Sequence, residues 1–396
     1  MPFLRTPYHC YRAFTRYVFA VQYHGGKLLG FSHQGAAGEN CLVYNPNGSI
    51  SDLRGIESVE GRLRRAFDLL VGENNYQNIQ VSSRTDRGVH AWRNTLQVDI
   101  RSRQKRGSED ADSQTSSRAT VKQWKPKNLV DGINFYLARI PSETDAESLP
   151  LRKNIRNIAS KANFYNLPLN HNVTILSSVV APDIMTPNQN YDPSLQEDES
   201  NPKSLPFDVR FTATKRTYAY RILHSYEIEA KCAYYYHCQP FEHDRVWRIH
   251  DDKGRIGDLD IDAMNNAAKY LVGTHDFTSF RGKGCQRSSP VTTLDEVVVH
   301  KERYHGVVPG FMLAGDNMEN LIPDTYNMIT IVIKGKSFLY HQVRNIVACL
   351  VEVGQGRLKH DEVKEILEKK DRSVAPGMAP AQGLFLVDVE HGDFRF

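Results

Sequence analysis

The sequence predicts an α+β protein made of two ferredoxin-like, or RRM-like, domains with mixed or antiparallel sheets. Two observations predict this fold class. Short runs rich in β-branched and aromatic residues alternate with segments whose apolar residues recur at helical spacing, and this theme appears in both halves of the chain. A strongly polar stretch lies between the halves, and 396 residues are enough for two domains of ordinary size.

The first half follows the order β-α-β-β-α-β, which is that of the ferredoxin-like unit. Apolar residues at helical spacing between Val59 and Leu70 predict the first helix, with Gly72 where its C-terminal cap is expected. A second helical pattern follows Pro126. The predicted strands are Tyr17–Tyr23, Ile79–Ser83, Thr95–Ile100 and Val173–Val180.

The second half repeats the mixed theme from Phe207 onward. Asp260 is predicted as the N-cap of its first helix, because a short acceptor side chain there can satisfy a free backbone amide. The predicted strands are Thr217–Leu223, Thr292–His300, Met328–Ile333 and Leu384–Val389, and the predicted helices are Ile261–Val272, Leu339–Val353 and Asp361–Lys369.

Polar composition sets the predicted domain boundaries. Residues 102–120 and 185–206 contain too few apolar side chains to build a core, so we interpret the first as an insertion and the second as a linker. The predicted domains are therefore 17–184, which carries a candidate catalytic aspartate loop, and 207–396. Residues 1–16 form a basic N-terminal extension.

Charge and cysteine content leave several functions open. A net charge of +4 permits a polyanionic partner without requiring one. Six scattered cysteines favour a reducing intracellular compartment, and no apolar run is long enough to predict a membrane helix.

The first 38 residues lack acidic side chains, which fits either a mitochondrial transit peptide or an irregular basic terminus, so mitochondrion and cytoplasm both stay open. No metal site is predicted, because the spacing of Cys232, His237, Cys238 and His243 matches no zinc motif.

The segment SSRTDRGVHAW, residues 82–92, is the most informative one. It joins two predicted strands and places Asp86 between Arg84 and Arg87, whose guanidinium groups favour the ionised carboxylate. An ionised carboxylate in a cleft can act as a nucleophile or a base. An aspartate in a turn can equally serve the backbone by accepting amide hydrogen bonds, and the residues alone leave both interpretations open.

Two further segments suggest contacts with RNA. Tyr218 and Tyr220 lie two apart on a predicted strand among basic residues, so they share a face that either stacks on nucleobases or packs under a helix. Arg344 lies beside the apolar surface of a predicted helix. A guanidinium there needs a carboxylate partner, of which Asp86 is one candidate, unless its head reaches water.

Together these segments resemble the TruA-type tRNA pseudouridine synthases, and look closer to the eukaryotic pseudouridine synthase-like branch than to the bacterial enzymes. The resemblance covers most of the chain from about Tyr17 onward. The matching blocks, in the family order, are residues 84–91 (RTDRGVHA), 210–222, 270–286 (YLVGTHDFTSFRGKGCQ), 338–347 (FLYHQVRNIV) and 379–390 (APAQGLFLVDVE).

The resemblance implies an isomerase that converts uridine to pseudouridine in tRNA, with the anticodon stem-loop as the usual substrate. It also implies base flipping, no metal or organic cofactor, a cleft between two domains and a homodimer. Carried over by position, Asp86 is the catalytic carboxylate and Tyr218 stacks on the target base. Arg344 pairs with Asp86, and Arg84 contacts the flipped nucleotide. Arg87 stands where the family commonly has alanine.

Two other functions are compatible with the same residues. One is a catalytically silent RNA-binding protein that kept the fold. The other is an enzyme that hydrolyses an N-glycosidic bond, which would release free uracil, whereas isomerisation releases no base.

Overall fold

A computed structural model describes residues 14–32, 58–104, 121–139, 171–182, 207–225, 242–250, 258–304, 326–392 and 394–395. Residues 1–13 of the predicted extension, the linker, much of the other polar segments, and most of the cysteine and histidine cluster lie outside these residues. The last three residues of the predicted extension, 14–16, belong to the first strand instead. The described residues form 12 strands and five helices, and none of these helices is long and apolar enough to cross a membrane.

The elements alternate between strands and helices along the chain, as the periodicities predict. The strands are β1 (Phe14–Tyr23), β2 (Tyr76–Val81), β3 (His90–Arg101), β4 (Arg103–Gln104), β5 (Val121–Lys122), β6 (Val173–Val180), β7 (Lys215–Ser225), β8 (Trp247–His250), β9 (Gly273–Asp276), β10 (Val291–Arg303), β11 (Tyr326–Gly335) and β12 (Leu384–Glu390). The helices are α1 (Val59–Leu70), α2 (Pro126–Leu137), α3 (Ile261–Lys269), α4 (Gln342–Gly354) and α5 (Glu362–Lys369).

Ten strands form one mixed sheet in the order β6-β1-β3-β12-β7-β11-β10-β9, with β2 beside β3 and β8 beside β7. Most neighbours are antiparallel, whereas β12 runs parallel to β3 and β8 parallel to β7. This arrangement confirms the predicted α+β class with a mixed sheet. The division of the chain into two ferredoxin-like domains stays a prediction.

The last strand joins the two halves of the sheet. In β12, Phe385 and Leu386 pair with His90 and Ala91 of β3, while Leu386 also pairs with Tyr218 of β7 on the other side. The seam therefore brings the start of β3 close to the middle of β7, although the two strands are far apart in the sequence.

One apolar core cluster runs along the sheet and includes the buried faces of the helices. Its alternating contributions from β3 are Leu96, Val98 and Ile100, all fully buried as their spacing predicts. Two predicted helix ends are also confirmed: the Asp260 carboxylate accepts the Ala263 N–H (2.8 Å), and Gly72 follows α1 with a positive φ of 97°. These local signals therefore fix where the elements lie.

Strand β2 begins and ends earlier than the predicted Ile79–Ser83. Asn78 has a φ of 54°, and the register with β3 shifts between Gln77 and Gln80. This irregularity interrupts the alternation of side chains, so the sequence pattern hides the start of the strand. The strands β4, β5, β8 and β9 were not predicted, because two to four residues are too few to establish a period.

Among the buried histidines of the sheet region, His90 and His391 have hydrogen-bond partners and strongly lowered pKa values. His90 Nδ1 accepts the Gly25 N–H (3.0 Å), so Nε2 must carry the proton that it donates to the Asp244 carbonyl (2.9 Å). Burial, reinforced by the nearby His24, lowers the pKa of His90 to about 4. Burial likewise lowers the pKa of His391 to about 4.

These two histidines make the fold sensitive to acid. Their folded pKa values lie below the ordinary value of 6.5, so the unfolded chain takes up protons first. We expect the contribution of these histidines to the free energy of unfolding to be complete above pH 6.5. As the pH falls towards 4, the free energy of unfolding should decrease by roughly 3 kcal/mol for each residue. Urea unfolding followed by tryptophan fluorescence across this range measures the loss.

The variant His391→Gln removes one titrating group and keeps a hydrogen-bonding side chain, so its free energy of unfolding should depend less steeply on pH. His300→Gln is the matched control, since His300 is exposed. An unchanged pH dependence in His391→Gln would contradict the assignment.

Candidate active site

A cavity of about 1030 Å³ opens at the seam between the halves of the sheet. Its walls come from the loop that follows β2, from β7, and from the segment that leads into α4. The four site residues predicted from the sequence all line it, namely Arg84, Asp86, Tyr218 and Arg344. Since these residues come from three separate parts of the chain, the fold is what brings them together.

Asp86 lies in a tight turn between β2 and β3. The Val89 N–H donates to the Asp86 carbonyl (3.1 Å), and Gly88 adopts a φ of 81°, which side chains rarely tolerate. The Gly88 N–H donates in turn to the Leu28 carbonyl (3.3 Å). The backbone of this turn is therefore tied to the segment after β1, and the Asp86 side chain is left to face the cavity.

A buried polar network supports the same loop from below. Asn94 is fully buried, and its side-chain amide donates to the Ser83 carbonyl (2.8 Å) and to the Tyr23 hydroxyl (3.2 Å). The Tyr23 hydroxyl also hydrogen-bonds the Thr85 hydroxyl (2.8 Å). Because a buried polar group is costly to leave without a partner, this network holds the loop in one conformation.

The Asp86 carboxylate has two nitrogen neighbours, and both approach the same oxygen. Arg344 Nη1 lies 3.7 Å from Asp86 Oδ2, and His341 Nε2 lies 3.3 Å from it. The Arg344 Nε–H donates to the Ala379 carbonyl (2.7 Å), which fixes the guanidinium. Burial lowers the pKa of Arg344, and the charge of Asp86 acts in the opposite direction. Both of these closest approaches are to Oδ2, and none of the described residues donates a hydrogen bond to Asp86 Oδ1.

Tyr218 reaches the cavity from β7. Its hydroxyl hydrogen-bonds the Ser83 hydroxyl (2.8 Å), and the Phe338 ring meets its ring edge to face at 5.0 Å. Burial raises the pKa of Tyr218, so the hydroxyl is neutral at neutral pH. The ring is thus oriented by its hydroxyl at one end and by an aromatic neighbour at the other.

Exposed cations surround the cavity. Arg84, Arg87 and Lys283 are all exposed and all line it. A ligand that enters the cavity can contact these three cations. Arg344, in contrast, is buried beside Asp86. This arrangement suits a ligand whose outer part is anionic.

Sequence reasoning missed two residues of this site. Arg216 donates from its guanidinium to the Ser82 carbonyl (2.8 Å) and the Lys336 carbonyl (2.5 Å), which ties the aspartate loop to β11 and the residues that follow it. Its position two residues before Tyr218, on the same strand face, was a usable signal. His341 is within a block that the resemblance includes, but nothing in the sequence indicates that it contacts Asp86.

Comparisons with known proteins agree on one class. A family model described as tRNA pseudouridine synthase matches residues 267–391. The tRNA pseudouridine synthase A of Caulobacter vibrioides is 27% identical over 378 residues, which cover 96% of this chain and 99% of that protein. The proteins of the same name from Xanthobacter autotrophicus and Azorhizobium caulinodans are 36% and 37% identical over 185 residues. Those two alignments cover 47% of this chain, and 60% and 57% of the relatives.

The matching family model and all of these relatives are tRNA pseudouridine synthases. The resemblance to the TruA-type tRNA pseudouridine synthases that the sequence blocks predicted is thereby confirmed. The roles carried over to Asp86, Tyr218, Arg84 and Arg344 stay predictions, as does the closer likeness to the eukaryotic branch.

The network beneath the loop yields a test of how the site is supported. Asn94→Ala leaves the Ser83 carbonyl and the Tyr23 hydroxyl without this buried donor, which should cost about 1–3 kcal/mol in the free energy of unfolding. Amides of residues 83–89 should also exchange faster with solvent. Chemical denaturation and hydrogen exchange measure these effects.

Asn266→Ala is the matched control, because Asn266 is exposed on α3, and it should change the free energy of unfolding by less than about 0.5 kcal/mol. Unchanged exchange of the loop in Asn94→Ala would show that the network does not hold it.

Proposed function

We propose that this protein isomerises uridine to pseudouridine in tRNA, with Asp86 as the catalytic carboxylate. The observation that carries the proposal is the contact between the Asp86 carboxylate and the buried Arg344 at the cavity that Tyr218 also lines. The names of the related proteins supply tRNA as the substrate. A cavity of about 1030 Å³ is large enough to enclose a nucleotide.

The reaction exchanges one bond to the sugar for another. The N1–C1′ bond of uridine breaks, the base turns, and a C5–C1′ bond forms. The proton lost from C5 is balanced by one gained at N1, so no electrons or groups leave the substrate. Asp86 acts either as a nucleophile at C1′ or as a base towards a sugar proton, and both routes need an ionised carboxylate.

The target base must leave its stack before it reaches Asp86. Tyr218 offers a ring on which the extruded uracil stacks, which offsets the unstacking cost by about 1–3 kcal/mol. The exposed Arg84 and its cationic neighbours are suited to hold phosphates of the displaced strand. The base then lies inside while the backbone remains at the mouth of the cavity.

We also propose the finer features that the family resemblance implies. These are two ferredoxin-like domains, residues 17–184 and 207–396, with the cleft between them, a target in the anticodon stem-loop, and a homodimer. The compartment is intracellular, either mitochondrion or cytoplasm. Transcribed cytosolic and mitochondrial tRNAs, with pseudouridine mapped at each position after reaction, test the substrate, and a fusion with an intact N-terminus tests the compartment.

The first functional prediction concerns the carboxylate. Asp86→Asn keeps the shape of the side chain and removes its charge, so pseudouridine formation should fall by about 1000-fold or more while tRNA affinity changes little. Single-turnover assays and filter binding separate the two effects. Asp131→Asn is the control, because Asp131 is exposed on α2.

Three results would contradict the assignment. Retained turnover in Asp86→Asn would remove the catalytic role from this residue. Free uracil as the product of the wild-type protein would indicate hydrolysis. Binding of tRNA without any product would indicate a silent RNA-binding protein.

The second functional prediction concerns stacking. Tyr218→Phe keeps the ring and loses only the hydroxyl contact with Ser83, so its single-turnover rate should stay within a few-fold of wild type. Tyr218→Leu loses the ring, and its rate should fall by about 5- to 150-fold, which corresponds to the 1–3 kcal/mol of one stacked base. Equal losses in both variants would assign the effect to the hydroxyl instead.

A further inference from the structure

His341 occupies an unusual position at the start of α4. It is the N-cap residue, yet its φ of 61° and ψ of 5° place it in the left-handed region. Residues with side chains seldom adopt this conformation, and N-caps are usually short acceptors such as serine or aspartate. The His341 side chain makes no capping hydrogen bond, so the helix does not account for the orientation of the imidazole.

The surroundings of His341 hold it in this conformation. Its carbonyl accepts the Asn345 N–H (3.0 Å), while the preceding Tyr340 carbonyl accepts the Gly282 N–H (2.7 Å). A Cβ atom on Gly282 would lie 2.9 Å from that carbonyl oxygen and 3.0 Å from His341 Cβ, so only glycine fits there. The Tyr340 ring stacks on the imidazole with 3.6 Å between centroids. Strained backbone that the surroundings impose in this way is common at functional sites.

The conformation directs the imidazole at the candidate catalytic carboxylate. His341 Nε2 lies 3.3 Å from Asp86 Oδ2, which is the oxygen that Arg344 also approaches. Oδ2 is thus the oxygen that both groups approach most closely, and Oδ1 accepts no hydrogen bond from the described residues. Two side chains from the start of α4 on one side of the carboxylate restrict its rotation and favour an orientation in which Oδ1 faces the cavity.

We infer that His341 is a positioning residue for the isomerisation, which holds Asp86 through Oδ2 so that Oδ1 faces the sugar of the flipped uridine. This inference rests on the proposed function. His341 acts through Asp86 rather than on the substrate. The tautomer this role requires carries its hydrogen on Nε2, so that the neutral imidazole restrains Asp86 without adding charge.

The protonation state of His341 gives the inference a distinct signature. Burial lowers its pKa below the ordinary 6.5, Asp86 acts in the opposite direction, and the cations Arg344 and Arg372 add to the lowering. The charged or titratable groups that face the ring are Asp86 from the loop, Arg344 from α4, Arg372 after α5 and the stacked Tyr340. The imidazole is therefore neutral at neutral pH. Protonation adds a second cation at Oδ2, which should weaken the carboxylate as a nucleophile or base.

The test compares His341→Phe, His341→Asn and wild type in single-turnover assays on a transcribed tRNA from about pH 5 to about pH 8.5. Phenylalanine keeps the stacking on Tyr340 and loses the N–H, while asparagine tolerates the left-handed conformation and is too short to reach Asp86. Both should lower the rate at neutral pH by up to about 100-fold, with tRNA affinity within about two-fold of wild type. His300→Phe, on an exposed histidine, is the matched control.

The pH profile separates positioning from packing. The wild-type rate should fall as the pH drops below 6.5, and in both variants this acidic limb should move to lower pH. Wild-type rate and profile in His341→Phe would overturn the inference, and if that variant does not fold, the same result in His341→Asn would do so. An inactive wild-type protein would instead overturn the proposed function.

Discussion

The site depends on a short stretch of backbone pairing at the seam of the sheet, where β12 lies between β3 and β7. Leu386 pairs with Ala91 on one side and with Tyr218 on the other. The loop that carries Asp86 ends where β3 begins, so this register sets the position of the acid relative to the tyrosine ring. A slip of one residue would turn Tyr218 to the opposite face of the sheet, because side chains alternate along a strand.

The polar groups around Asp86 serve the geometry of the site more than the stability of the fold. Asp86 and Arg344 are 3.7 Å apart, and the Asp86 side chain is 27% exposed, so their attraction adds little to the free energy of folding. The hydrogen bond from Arg344 to the Ala379 carbonyl offsets part of the cost of burying the guanidinium. The hydrogen bonds of the Asn94 network likewise stabilise one loop, the one that carries Asp86. Together these groups fix the position of the Asp86 carboxylate, with both nitrogen neighbours closest to Oδ2.

The sequence predicts individual strands and helices, but not the contacts between residues that are distant in the chain. Alternation in Leu96, Val98 and Ile100 is sufficient to find β3, because burial on one face imposes a period of two. The bulge at Asn78 breaks that period, so the boundary of β2 is misplaced. The resemblance identifies Asp86 and its predicted partner by position. The approach of His341 depends on a left-handed residue and on pairing between distant strands, which no local pattern encodes.

The cations at the cavity fall into two groups, which are exposed or buried and which affect different steps. A net charge of +4 is too small to attract RNA on its own, so the attraction of RNA must come from cations that are concentrated at the binding surface. Arg84, Arg87 and Lys283 are exposed around the cavity, and salt screens such charges strongly. Arg344 is buried beside Asp86 and is screened far less. Binding should therefore respond to ionic strength while the chemical step on bound RNA does not, because each depends on a different set of cations.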